Sequence, residues 1–77
     1  MASNTFFDGT TDDTAVFDRP VNHLLIFVST GTTFSFSLDR GENFMTLPAG
    51  FHSFPIGAVS EVQIQSTGAW QLIGVQA

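Results

Sequence analysis

The chain has no cysteine and no lysine, and only two of its 77 residues are basic. Without cysteine there are no disulfides and no thiolate metal sites. A single domain of this length hides only about 60–65% of the surface its unfolded chain exposes. Small domains usually add a disulfide, a metal or a partner chain to make up the difference. The partner chain is the remedy left, so a homo-oligomer (trimer or dimer), or docking on a larger body, is expected. Without lysine there is no P-loop, and no GxGxxG run occurs either. Arg19 and Arg40 stand against seven acidic residues, for a net charge of −5. That balance argues against nucleic acid, whose phosphates are neutralised by Lys and Arg, and against an anionic membrane surface. No run approaches the ~20 apolar residues of a spanning helix. Met1 to Thr5 lacks the basic region that opens a signal peptide, and a chain made and kept in the cytoplasm, or assembled there into something larger, is expected.

Aromatic residues are plentiful by contrast. Nine Phe and one Trp crowd a small chain, and each ring covers roughly 150–250 Å² when buried. A Phe-rich core and an exposed contact patch are both consistent with that surplus.

Thr33-Phe34-Ser35-Phe36-Ser37-Leu38 alternates polar and apolar residues, the period of a strand with one face buried. Asp39-Arg40-Gly41-Glu42-Asn43 reverses the chain, and Phe44-Met45-Thr46-Leu47 resumes it before Pro48-Ala49-Gly50. This is a β-hairpin. Phe44 and Leu47 lie three apart, so strict alternation cannot bury both, and a bulge or bend is expected. Upstream, residues 1–13 are polar apart from Phe6-Phe7 and read as an extended arm, with an Asp8-Gly9 turn signal. The domain proper is expected over 14–77. Thr14 to Phe17 is a short strand that Pro20 ends. Leu24-Leu25-Ile26-Phe27-Val28 is continuously apolar, the composition of a strand covered on both faces. Thr30-Gly31-Thr32 then turns the chain, which places this strand beside the next. Phe51-His52-Ser53-Phe54 is a brief extended piece closed by Pro55. Val59–Gln65 and Trp70–Val75 read as a second hairpin. Trp70 and Leu72 share one face of the last strand; Gln71, Ile73 and Val75 share the other. With no helical periodicity, the fold class is all-β: a small antiparallel β-sandwich or partly open barrel of about six to seven short strands.

Catalysis needs a positioned nucleophile, base or metal, and the inventory is thin. His23 and His52 are far apart in sequence, and neither has a carboxylate at ligand spacing. Asp8 to Asp13 lacks the ligand order of a calcium loop. No serine sits in a G-x-S-x-G elbow. Asp39 and Glu42 flank a wet turn, where a contact with Arg40 is expected. Neither a catalytic site, a metal site nor a cofactor is expected, and the chain reads as a non-enzyme. Trp70 is open to two readings, a buried strand anchor or a carbohydrate platform. Candidate interface residues are Phe6, Phe7, Val16, Phe17, Phe51, Phe54 and Trp70.

Thr32 to Phe44 together with Leu47-Pro48-Ala49-Gly50 resembles a hairpin of small β-domains in tailed-bacteriophage virion proteins, where S-x-D-G-G-x-x-F-x-x-L-P-A-G precedes a final strand pair. The likeness covers about residues 24–76, with Arg40 where Gly is commoner. What the resemblance implies is a non-enzymatic particle component. A capsid decoration (cement) protein bound to the major capsid protein of a virion is the first expectation. A tail, neck or fibre component and a carbohydrate- or receptor-binding β-sandwich are the alternatives.

Overall fold

The structure, a computed structural model, describes residues 3–76, with side chains from Thr5 onward. Six strands occur in the order β1 (Ser3–Gly9), β2 (Asp13–Val28), β3 (Phe34–Ser37), β4 (Met45–Leu47), β5 (Gly50–Ser66) and β6 (Trp70–Gln76). They form one antiparallel sheet ordered β1-β6-β2-β5-β3-β4. The sheet curls over on itself. β6 and β3 are three ladder steps apart, about 14 Å in a flat sheet, yet the Trp70 and Phe34 rings they carry lie 6.1 Å apart. The all-β sandwich expectation holds, with six strands.

Two strands are long because two prolines bend the chain without ending it. Pro20 lies inside β2, where the pairing with β5 shifts register between Val16 and Val21 and again between Val21 and His23. Proline has no N–H to give to a ladder and is tolerated at such irregularities. The shift also exchanges faces: Ala15 and Phe17 point into the core before it, and Leu24, Ile26 and Val28 after it. Pro55, read as a terminator, instead sits opposite His23 within β5. β2 and β5 therefore run through both halves of the sandwich.

Three other expectations are corrected. Residues 3–9 are not an arm: Ser3–Gly9 pairs along its whole length with β6. β2 is not beside β3, because β5 lies between them. Residues 59–75 are not a hairpin, because β5 pairs with β2 and β3 while β6 pairs with β1 and β2. The β3–β4 hairpin is as expected, in the register Phe34↔Leu47 and Phe36↔Met45. Phe44 lies before β4, in the loop, which resolves its spacing from Leu47.

The core gathers from both halves: Leu24, Ile26, Val28, Phe34, Val62, Trp70 and Leu72 are almost wholly buried. Phe17 is core too, its ring laid against the backbone of Gly74 and meeting Phe7 edge-on at 5.3 Å. The Trp70 indole N–H donates to the Thr11 carbonyl at 3.1 Å. The Asp12 carboxylate accepts the Ser66 N–H at 2.8 Å. The link from Thr10 to Asp12 is thus clamped across the end of the sandwich.

Candidate interaction surface

Strands alternate their side chains between faces, so each inward residue on β1, β6, β2 and β5 has an outward neighbour. Register places Phe6, Ile73, Leu25 and Ser53 side by side across these four strands. The next row is Asp8, Gln71, Phe27 and Phe51. Phe6, Phe27 and Phe51 are 55%, 44% and 63% exposed, large fractions for rings on one sheet face. Between them Leu25, Gln71 and Ile73 floor a shallow hollow of about 190 Å³. Single exposed apolar residues are ordinary, but a contiguous set marks a contact site.

The seven candidate residues are distributed unevenly. Phe6 and Phe51 share the face just described. Val16 is exposed but lies elsewhere, opposite Glu61. Phe7 and Phe54 are half-buried. Phe7 faces Phe17, and Phe54 meets Phe36 at 5.6 Å, where an open apolar crevice of about 250 Å³ is also lined by Leu38, Met45, Leu47 and Ile56. Phe17 and Trp70 are corrected to core residues, at 4% and 1% exposure. Burial excludes both from an interface, and Trp70 from service as a carbohydrate platform. Sequence reasoning missed Leu25 and Phe27, because a wholly apolar run was read as covered on both sides, and it placed Ile73 on the face of Gln71 and Val75 without counting it as interface.

A set of side-chain hydrogen bonds fixes the loop between β3 and β4. The buried Ser37 hydroxyl donates to Asp39 Oδ1 at 2.6 Å and accepts the Gly41 N–H at 2.9 Å. Asp39 Oδ1 accepts the Asn43 backbone N–H at 2.9 Å, and Oδ2 accepts the Asn43 side-chain amide at 2.8 Å. The Ser37 hydroxyl, followed by the Asn43 donors, lowers the Asp39 pKa from 3.8 to about 2. Arg40 and Gly41 both take positive φ, 63° and 88°, a conformation that Gly adopts freely and Arg does not. Asp39 is a fastener for this turn, with its oxygens already engaged.

The two histidines sit on opposite faces of the sheet. His23 points outward, with Nε2 2.8 Å from the Ser53 hydroxyl. His52 lies opposite the inward Ile26 and donates to the Pro48 carbonyl at 2.7 Å. They cannot ligate one ion. Among the described residues no group of three or more His, Cys, Asp or Glu is arranged to hold a metal.

No family model and no curated protein matches the chain. Solved structures do. The CoII HppE structure in complex with Tris buffer matches with a TM-score of 0.56 at 20% identity, over 99% of this chain and 45% of that one. FeII HppE gives 0.55 at 18% identity, over 99% of this chain and 43% of its own. A cupin-2 domain containing protein from Shewanella frigidimarina NCIMB 400 gives 0.55 at 12% identity, over 97% and 69%. The fold is cupin-like.

These matches overturn the virion-decoration expectation. The chain's structural neighbours are cupin-fold proteins, and neither a family model nor a curated relative supports a phage assignment. The likeness reaches the fold alone, and the chain spans less than half the length of the HppE structures. The iron and cobalt of those structures provide a fit test for this cupin-like sandwich. Its inward face is filled by Leu24, Ile26, Phe34, Trp70 and Leu72, and the imidazoles are divided between the two faces. The residues present do not fit such an ion.

Proposed function

We propose that this chain is a non-enzymatic interaction module, a small cupin-like sandwich that works by presenting the outer face of β1, β6, β2 and β5 to a protein surface. One observation carries the reading: Phe6, Phe27 and Phe51 stand open on one face with Leu25 and Ile73. Exposing rings to water is unfavourable by about 25 cal/mol per Å², so a face of this kind gains free energy only when it is covered.

A photo-crosslinking amino acid placed at Phe27, at Phe51 and, as a control, at Val16 tests the reading. The two face positions are expected to give the same discrete protein adduct and position 16 none. Equal labelling from all three would refute it. In parallel, stoichiometric retention of Fe(II) or Co(II) after dialysis would favour a metal-dependent enzyme over an interaction module.

A further inference from the structure

The apolar run of β2 names what is missing. Leu24, Ile26 and Val28 are at most 1% exposed, whereas Phe27, one residue out of phase, is 44% exposed. A strand apolar on both faces belongs between two layers, and this chain supplies one. We infer that a second copy of the same chain supplies the other, laid face to face across a twofold axis near the β6–β2 pair. The inference rests on the interaction-module reading and names its partner.

Size, charge and symmetry each favour a second copy. Four strands at about 4.8 Å spacing, five to six residues long, give a flat footprint of ~400 Å², and the protruding rings raise the accessible area to about 600 Å². Two such faces bury about 1,200 Å², where specific interfaces begin. The partner must therefore cover the whole face, and an identical face has the same outline. Charge points the same way. Across the rows Phe6–Ile73–Leu25–Ser53, Gln71–Phe27–Phe51 and Val75–His23–Pro55 no carboxylate occurs, and Asp8 stands only at the β1 rim. A basic partner would find little to pair with, although the chain carries −5 overall. Two copies repel through charges outside the face, so their contact strengthens as salt screens them. Finally, a twofold interface sets each residue's surroundings against its own copy. Gln71, in the same row as Phe27 and Phe51, carries donor and acceptor in one amide, and a twofold axis near that row sets two Gln71 side chains where they satisfy each other.

Sedimentation equilibrium from micromolar to millimolar protein, at low and high salt, reads the association directly. A dimer that tightens with salt is expected. Phe27→Asp and Gln71→Glu, both at exposed positions, are each expected to weaken it at least ten-fold with unchanged circular dichroism. Mixing Gln71→Glu with Gln71→Lys copies is expected to restore a heterodimer. Because the chain has no cysteine, a spin label at Ser53→Cys reports one site, and an inter-copy distance that vanishes in the Phe27→Asp background is expected. A chain that stays monomeric throughout overturns the second-copy inference and leaves the docking face to the crosslinking test. A dimer indifferent to Phe27→Asp and Gln71→Glu is built on another surface, which overturns the second-copy inference and again leaves the docking face to the crosslinking test.

Discussion

Gly74 is the position where adding one methyl group tests the packing of the whole β1 side. It is buried on the inward face of β6, and a Cβ there would lie 2.7 Å from Phe17 Cζ and closer still to Cε1. Ordinary carbon contacts fall at 3.5–4.0 Å, so the ring must withdraw by about 1 Å. Phe17 has little room, because Phe7 is packed edge-on against it at 5.3 Å. Overpacking of this kind costs about 1–3 kcal/mol, and the better strand propensity of Ala over Gly returns ~0.5–1 kcal/mol. Gly74→Ala is therefore expected to destabilise by about 1–2 kcal/mol, which for a domain of this size lowers Tm by about 5–15 °C. The buried Trp70 is the chain's one tryptophan, so its fluorescence during urea unfolding is a direct assay. The second arm is a cycle with Phe17→Leu, which removes the obstructing ring edge. The double variant should be more stable than the sum of the single losses by about 1 kcal/mol. A Gly74→Ala protein that melts with the parent, or a strictly additive cycle, would show that the Phe17–Gly74 contact is not what limits this site.

Three further outcomes concern the loop between β3 and β4. Ser37→Ala removes the hydroxyl that bonds Asp39 and Gly41, and a loss of about 1–2 kcal/mol is expected in urea titrations. Arg40→Asn replaces an arginine at φ 63° with a residue that tolerates that conformation, and a gain of about 0.5–1 kcal/mol is expected by the same assay. The Asp39 pKa is depressed from 3.8 to about 2, so its contribution to stability is complete above the ordinary carboxylate range and fades as pH falls through 4 towards 2. The Asn43 amide resonance should report that titration by NMR; an Asn43 shift centred near pH 4 would contradict it.

Strand content and the β3–β4 hairpin were legible in the sequence because both are local. Ser35 and Ser37 alternate with Phe34 and Phe36, and Arg40-Gly41 marks the reversal. Pairing order was not legible. Neighbours in sequence usually pair, but β5 and β6 each pair only with strands remote in the chain, and no local pattern encodes that. Pro20 and Pro55 misled for a related reason, since proline stops a strand or bends it depending on whether a partner leaves a gap in the ladder. Phe6-Phe7 looked like an anchor on an arm; in a strand two adjacent rings must point apart, and here Phe7 seals the core while Phe6 opens onto the outer face. Two of the five apolar residues of the candidate surface, Phe6 and Phe51, were thus visible. Phe27 was hidden by the assumption that an apolar strand brings its own cover.

The sheet order also governs how the chain is born. β6 sits between β1 and β2, so of the six strands the one made last is the one that joins the two made first. While the ribosome is still extending the polypeptide, Ser3–Gly9 has no ladder to enter, and its two phenylalanines and the flank of β2 wait in the open. Folding of this kind completes only after Trp70 to Gln76 has left the exit tunnel, and transcripts cut short before that point should yield products that clump or are degraded rather than smaller working domains.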